Sequence, residues 1–359
     1  MYSDSADLYG TVLAVQANFY RVGIDLGSDR EILLCTRRAR LKKIGQTVMV
    51  GDRVRVEEAD FVDKQGAIVE VCPRKTEIDR PPVANAEQVL LVFAIEEPSL
   101  DAWQLSRFLV KAESTGLDII LALNKIDLVS SEAIEEWRKR LRDWGYEPFF
   151  VSVAEDRGIS ELLARLNAKI TLLAGPSGVG KSSLINRLIP DVSQRVGEVS
   201  GKLQKGRHTT RHVELFALAE DSGFLADTPG FNQPDLDDGP DRLAWYFPEA
   251  RERLEGGNCQ FNDCTHRNEP NCVVRGDWER YEHYLEFLEE SIERESTRQR
   301  TPEEESSLKL KIRGAGVATY EPKLESKKYR RHSRRGQHQA RERYENQSLQ
   351  NIDNDDEDW

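Results

Sequence analysis

The chain has 359 residues, and its 63 acidic and 51 basic side chains give a formal net charge of −12. The length predicts two or three domains, and a hydrophobic fraction of 38% with 32% charged residues is typical of a soluble globular protein. The N-terminal segment lacks a basic stretch followed by an apolar run, and no stretch approaches the ~18 apolar residues of a membrane span. We therefore expect a cytoplasmic protein with no secretory signal and no membrane partner.

Residues 8–72 are rich in short β-forming segments separated by glycines, and no helical periodicity competes there. Several strands in so short a stretch predict an OB-fold-like β-barrel, to which we assign residues 1–75. A basic run lies between two of these strands: Arg37, Arg38, Arg40, Lys42 and Lys43. It is either a solvated loop or a contact for RNA.

A linker is expected at Pro81-Pro82, because proline continues neither a strand ladder nor a helix. Beyond it, apolar runs alternate with amphipathic segments, as in a parallel sheet covered by helices on both faces. The predicted strands begin at Gln88, Asp118, Pro148, Ile170, Val213 and Gly223, and the predicted helices span 100–115, 131–144 and 159–166, with another that starts at Ser182. We assign this α/β domain to residues 76–235.

A glycine-rich segment lies between the run at Ile170 and the helix that starts at Ser182. Its sequence fits G-x-x-x-x-G-K-[ST]. We expect the backbone N–H groups of this loop, and the N-terminus of the helix that follows it, to bind a triphosphate. Lys181 is expected to reach the β and γ phosphates, and the Ser182 hydroxyl to bind Mg²⁺. The predicted phosphate loop consists of Gly175, Pro176, Ser177, Gly178, Val179, Gly180, Lys181, Ser182 and Ser183. Downstream, Asp227-Thr-Pro-Gly230 ends a strand, as a Mg²⁺-linked aspartate and a γ-phosphate-sensing glycine would.

A second motif, Asn124-Lys125-Ile126-Asp127, follows the strand that begins at Asp118. A carboxylate at Asp127 can accept from guanine N1–H and the exocyclic amine together, whereas adenine offers no such donor pair and would leave it unpaired. This selects GTP over ATP. Asn124 is expected to support the base and the phosphate loop, the Lys125 stem to lie over the ring, and the Ser152 backbone to contact the guanine O6.

The base motif precedes the phosphate loop in this chain, whereas ordinary GTPases have the reverse order. The α/β domain is therefore predicted to be a circularly permuted P-loop GTPase domain. One consequence is that the segment after Gly230 leads directly into the C-terminal region.

Three cysteines and a histidine follow within a short segment: Cys259, Cys264, His266 and Cys272. Such clustering argues against a disulfide framework, and four soft or borderline ligands without a carboxylate favour one structural Zn²⁺ with no open position. Residues 236–295 are predicted to be a zinc-binding helical module. Within it, Arg267, Arg275 and Arg280 are either RNA contacts or ordinary surface arginines.

The last segment, residues 296–359, is predicted to be a charged, disordered tail. It contains a Lys/Arg-rich stretch (327–343) and then an acidic stretch (353–358). Blocks of like charge are usually solvated tails, although a basic arm can also bind phosphates.

Barrel, permuted GTPase and Cys/His cluster together resemble the ribosome small subunit-dependent GTPase A family, over roughly residues 8–290. The resemblance implies a GTPase that binds the small (30S) ribosomal subunit and 16S rRNA and assists late maturation of the subunit. It also implies that the segment Gly206–Arg211 is the first switch.

Within that switch, Thr209 or Thr210 is expected to donate to Mg²⁺ and the γ-phosphate, and the sequence does not choose between them. Phe231 stands where many small GTPases have a water-orienting glutamine, so we expect slow intrinsic hydrolysis that the subunit stimulates. His208 is a candidate replacement for that glutamine, since neutral imidazole can accept from water; a solvent-facing loop histidine is the alternative. The phosphate loop has Gly178 where potassium-activated GTPases have asparagine, so no potassium requirement is expected.

Two hypotheses stay open for the activity. The first is a monomeric GTPase that acts as a timed switch on the subunit. The second is an RNA-binding assembly chaperone in which GTP serves mainly as a conformational ligand. A permuted GTPase serving the large subunit is a third possibility, disfavoured by the barrel and the Cys/His cluster.

Overall fold

A computed structural model describes residues 7–26, 29–79, 81–189, 213–218, 223–227, 239–300, 308–313 and 317–322. The chain divides into two units, Met1–Glu295 and Ser296–Trp359. No helix among the described residues combines the length and the apolar character that crossing a bilayer requires.

Five strands at the N-terminus form a closed barrel in the order β1-β2-β3-β5-β4, which confirms the predicted barrel. The strands are β1 (Leu8–Gln16), β2 (Phe19–Leu26), β3 (Asp29–Arg37), β4 (Arg53–Asp60) and β5 (Gln65–Val71). Alternate residues such as Val22, Leu33 and Ile68 are fully buried inside it, as the period of two in a strand requires.

The basic run after β3 includes a short helix, α1 (Ala39–Lys43), which the sequence did not predict. Five residues are too few for helical periodicity to be visible. Leu41 is buried and anchors the helix to the barrel core.

The expected linker contains a small hairpin, β6 (Glu77–Asp79) paired with β7 (Pro82–Ala84). The prediction that proline excludes a strand ladder here was wrong. Pro82 is the first residue of β7, a position at which its missing N–H group is tolerated.

The second sheet has six strands in the order β10-β9-β8-β11-β13-β12. They are β8 (Gln88–Ala94), β9 (Asp118–Asn124), β10 (Phe149–Phe150), β11 (Ile170–Ala174), β12 (Leu215–Ala217) and β13 (Phe224–Asp227). All neighbours are parallel except the edge strand β12, which is antiparallel to β13. The segment that joins β12 to β13 is too short for the crossover connection that a parallel pair of strands needs.

Helices cover both faces of this sheet: α2 (Ala102–Glu113), α3 (Ser131–Asp143), α4 (Ile159–Leu166) and α5 (Lys181–Leu188). On β8, Leu91 and Phe93 pack with residues of α2 and α3, whereas Leu90 and Val92 pack with residues of α4 and α5. The near-continuous apolar run of β8 thus has both of its faces buried.

Residues 239–300 form a 3₁₀ turn at Leu243–Tyr246, α6 (Pro248–Gly256), the Cys/His segment and α7 (Tyr281–Arg300). One apolar cluster joins Phe247, Trp278, Tyr284 and Phe287 to Val110 of α2. In the second unit, β14 (Leu308–Arg313) pairs with β15 (Val317–Pro322), within the segment for which we predicted a disordered tail.

Arg280 is fully buried in this module, so its assignment as an RNA contact or a surface arginine was wrong. Its Nε donates to Glu249 Oε1 over 2.8 Å, and Nη2 donates to Oε2 of the same carboxylate. The guanidinium lies 4.8 Å from the Trp144 ring centre and 5.0 Å from that of Phe247. The pair therefore connects α6 and the start of α7 to the end of α3.

We expect Arg280→Met to destabilise the protein by about 3–5 kcal/mol, because the Glu249 carboxylate would stay buried without its partner. Urea unfolding measures this loss. The control is Arg142→Met, since Arg142 pairs with Glu147 at an exposed site and such pairs contribute ~0–1 kcal/mol. Equal effects of the two substitutions would contradict the role of Arg280.

Candidate functional site

The base motif and the phosphate loop meet through one buried side chain. Asn124, at the end of β9, donates from Nδ2 to the Val179 carbonyl over 2.9 Å. Its Oδ1 accepts from the Val153 amide at 3.4 Å. The side chain is 2% exposed, so both polar ends are satisfied inside the protein. The two segments that the sequence predicted to form one pocket are thus in direct contact.

Asp127 lies in a 3₁₀ turn, Ile126–Leu128, directly after β9. The Ser152 hydroxyl donates to Asp127 Oδ1 and accepts from the Glu155 amide at 3.1 Å. This pair of hydrogen bonds fixes the hydroxyl and therefore one oxygen of the carboxylate. Ile126 is buried and packs in the core, so its place in the motif is structural.

The backbone of Ser152 does not have the geometry that we expected from the sequence. Its amide donates to the Arg157 carbonyl at 3.0 Å, so that N–H group is already committed. What Ser152 supplies to the pocket is the hydroxyl that orients Asp127.

Lys125 has a left-handed backbone conformation with φ of 63°, and its ammonium donates to the Glu97 carbonyl. Glu97 lies in the loop after β8, and the sequence analysis did not assign this loop to the site. Pro98 of this loop also lies close to Gly178 of the phosphate loop. The loop after β8 thus contacts the base motif through Lys125 and approaches the phosphate loop at Gly178.

The phosphate loop connects β11 to α5, and two of its glycines are sterically required. A Cβ at Gly175 would lie 2.1 Å from the Val92 carbonyl oxygen, and one at Gly180 would lie 2.4 Å from Asn124 Nδ2. Lys181 Nζ donates to the carbonyls of Gly175 and Pro176 at 2.8 and 2.5 Å. Of the other loop residues, Val179 is buried, whereas Ser177, Gly178, Ser182 and Ser183 are exposed.

Asp227 is the last residue of β13, and its backbone lies opposite Leu173 of β11. Strand β13 therefore ends beside β11, the strand that leads into Gly175. The remaining predicted residues of the nucleotide site, His208, Thr209, Thr210 and Gly230, lie outside the described residues.

The Cys/His segment brings its four ligand atoms within 4.8 Å of one another. His266 Nδ1 lies 3.5 Å from Cys259 Sγ and 3.3 Å from Cys272 Sγ, and the two sulfurs are 3.9 Å apart. Ligands about 2.0–2.3 Å from one tetrahedral ion have separations of this order. Burial and the neighbouring sulfurs raise the pKa of the Cys264 thiol to about 12, so a thiolate there needs a cation. The donor set fits Zn²⁺.

Two features that the sequence did not suggest hold this ligand loop. Glu269 accepts from the Thr265 amide and hydroxyl at 2.8 and 2.6 Å and from the Arg267 amide at 2.8 Å. Burial raises the pKa of Glu269, but these hydrogen bonds outweigh it and lower the pKa to about 2. From α7, the Tyr284 hydroxyl donates to the Thr265 carbonyl at 2.8 Å. Glu269 was not predicted, because a single acidic residue between metal ligands forms no periodic sequence pattern.

The strand that leads to the base motif, β9, precedes the phosphate-loop strand β11 in the chain, and in the sheet β8 lies between the two. With the barrel before it and the Cys₃His cluster after it, this defines a circularly permuted GTPase. The RsgA GTPase family model matches residues 71–237. The chain belongs to this family and is a GTP hydrolase.

Relatives support the assignment over almost the whole chain. A protein of Microcystis aeruginosa named "Small ribosomal subunit biogenesis GTPase RsgA" is 71% identical and aligns over 98% of both chains. A protein with the same name in Trichormus variabilis is 60% identical over 94% of this chain and 96% of its own. "Small ribosomal subunit biogenesis GTPase RsgA 1, mitochondrial" of Arabidopsis thaliana is 44% identical over 91% of this chain and 84% of its own.

Solved structures agree with the fold. The crystal structure of YloQ, described as a circularly permuted GTPase, is 30% identical and superposes with a TM-score of 0.67 over 82% of this chain and 98% of its own. YjeQ from Thermotoga maritima is also 30% identical and gives a TM-score of 0.66 over 80% of this chain and 99% of its own.

We expect Ser152→Ala to weaken GDP binding by about tenfold to a hundredfold, because the lost hydrogen bond to a charged carboxylate is worth ~1.5–3 kcal/mol. Titration calorimetry with GDP measures the change. Ser131→Ala, an exposed substitution at the start of α3, is the control. Unchanged GDP affinity in Ser152→Ala would show that the hydroxyl does not orient the guanine-binding group.

Proposed function

We propose that this chain is a ribosome-biogenesis GTPase that binds the small (30S) ribosomal subunit and its 16S rRNA and assists late maturation. The observation that carries this is the 71% identity, over 98% of both chains, to a small ribosomal subunit biogenesis GTPase. The proposal includes slow GTP hydrolysis stimulated by the subunit, a cytoplasmic location, a monomeric state and no membrane partner.

Within this proposal, the described pocket binds guanine through Asp127 and phosphates through the loop Gly175–Ser183. The Asp127 carboxylate, held by Ser152, would accept from both guanine donors. Lys181 would neutralise the β and γ phosphates, and Ser182 with Asp227 would hold Mg²⁺. Thr209 or Thr210 would complete the metal and γ-phosphate contacts, and Gly230 would sense the γ-phosphate.

The Cys₃His cluster would hold one structural Zn²⁺ through all four of its ligand side chains. A tetrahedral shell made only of protein ligands leaves no position for a substrate. The metal would therefore stabilise the module of residues 236–295, which has few apolar residues near the ligands. The other proposed boundaries are 1–75 for the barrel, 76–235 for the GTPase domain and 296–359 for the tail.

The barrel offers a surface suited to RNA. Arg37 donates to the Gln46 carbonyl at 2.6 Å, and Arg38 pairs with Glu58, so these two arginines are engaged. On α1, the side chains of Arg40, Lys42 and Lys43 are exposed, and no ion pair to another described residue involves them. Three cations on one helix can bind phosphates and release counterions.

Stimulation by the subunit tests the proposal. We expect small subunits to raise the single-turnover GTP hydrolysis rate by about tenfold or more, since supplying missing catalytic groups to other GTPases gains 10³-fold or more. Lys181→Ala with small subunits and wild-type protein with large subunits are the controls. Equal rates with and without small subunits would instead favour the chaperone in which GTP is a conformational ligand, and stimulation by large subunits would contradict the proposed target.

His208 is proposed to orient the attacking water, because the chain has Phe231 where a glutamine is usual. We expect His208→Ala to lose most of the stimulated rate at saturating small subunits while keeping GTP affinity. His212→Ala, in the same segment of the chain, is the matched control. A stimulated rate that His208→Ala leaves unchanged removes this residue from the mechanism.

A further inference from the structure

The barrel contacts the edge strand of the GTPase sheet. Ala14 of β1 forms an antiparallel bridge with Glu214, the residue just before β12. The Arg21 guanidinium of β2 pairs with the Glu214 carboxylate, and the two side chains are 28% and 32% exposed. Backbone and side chain of one residue thus join the barrel to β12.

A second contact involves the neighbouring strand, β13. The Arg30 guanidinium of β3 lies over the Phe224 ring, 4.4 Å from its centre. Phe224 is the first residue of β13, and Asp227 is the last. Leu13 and Val50 of the barrel share one apolar cluster with Leu215 and Phe224.

In the chain, these two strands adjoin the segments that we predict to respond to the γ-phosphate. Glu214 follows the predicted first switch, Gly206–Arg211, by three positions, and β13 ends at the predicted Mg²⁺-linked Asp227. Only three residues form β12, so little strand pairing holds Glu214 apart from its contacts with the barrel.

The Cys/His module is attached elsewhere, so far as the described residues show. Arg107 of α2 pairs bidentately with Glu290 at 2.5 and 2.7 Å. The Trp144 indole after α3 donates to Glu279 at 2.8 Å. Because α2 and α3 follow β8 and β9, these contacts belong to the base-binding half of the sheet.

We propose that Arg21 is a positioning residue that, through Glu214, couples the nucleotide state of the GTPase domain to the barrel. The inference rests on the nucleotide pocket and first switch of the proposed function, but not on the ribosomal subunit. Coupling between two sites is reciprocal, so the barrel that holds Glu214 also biases which nucleotide the pocket prefers.

The pair itself adds little to stability. Partly exposed ion pairs contribute ~0–1 kcal/mol, so a stability measurement would not separate a coupling role from a structural one. The informative readouts depend on which nucleotide is bound and on restoring the pair with its charges exchanged.

The experiment uses hydrogen exchange of the full-length protein saturated with GDP or with a non-hydrolysable GTP analogue. The variants are Arg21→Glu, Glu214→Arg and the double charge exchange, with Arg142→Glu as a control at an exposed ion pair within the GTPase domain. In the wild type and Arg142→Glu, we expect β1 amides to exchange at rates that differ about fivefold or more between the two nucleotides, the lower end of ordinary coupling. Each single reversal should abolish the difference and the double exchange should restore it.

Three results would overturn the proposal: no nucleotide-dependent exchange of β1 in the wild type, a difference that persists in both single reversals, or a double exchange that fails to restore it. If a charge reversal does not fold, Arg21→Gln or Glu214→Gln takes its place. We expect these variants to lose the nucleotide-dependent difference in β1 exchange, and a difference that persists would count against coupling. Nucleotide affinities measured on the same samples keep the outcomes separate. Failure to bind guanine nucleotides would count against the proposed pocket. Intact binding without coupling would count only against the proposed role of Arg21.

Discussion

The contact on which the site depends is the hydrogen bond from the Asn124 amide to the Val179 carbonyl. It joins segments 55 residues apart in the chain and is buried, so neither group has water as an alternative partner. Gly180 lacks a side chain at the point where a Cβ would collide with the same amide. Reordering the chain can therefore leave the pocket unchanged, provided that β9 and β11 end at the same edge of the sheet.

That constraint explains why permutation is tolerated. Ligands of open α/β sheets bind beyond the carboxyl ends of the strands, and the position of a strand in the sheet does not depend on which strand the chain forms first. Permutation changes instead what is covalently attached to each side of the pocket. The barrel leads into β8, whereas the segment after β13 leads into the Cys/His module. Each flanking module is then fixed by its own polar contacts, Arg21 with Glu214 for the barrel and Arg107 with Glu290 for the C-terminal module.

Sequence patterns predicted the elements whose cause is local. The helix Ile159–Leu166 has the predicted bounds and the strand Ile170–Ala174 begins at the predicted residue, because an apolar helical stripe and a continuous apolar run are visible in short windows. The four ligands of the Cys/His cluster were visible for the same reason. Features that depend on distant partners were missed. Arg280 looks like a surface residue until Glu249 and three aromatic rings surround it, and the Ser152 hydroxyl has no evident role until Asp127, 25 residues earlier, accepts from it.

Charge shows the same distinction between local and global properties. A net charge of −12 would suggest repulsion from nucleic acid, but charges beyond about 8 Å are largely screened at physiological ionic strength. What a phosphate meets is the local set of side chains. In the barrel, Glu58 and the Gln46 carbonyl engage the two arginines that precede α1, and the three cations on the helix itself have no acid against them among the described residues. The acidic side chains of α7, such as Glu289 and Glu290, are instead paired with Arg267 and Arg107. Glu290 thus joins the C-terminal module to α2, Glu289 pairs within that module, and the basic helix α1 stays exposed on an acidic protein.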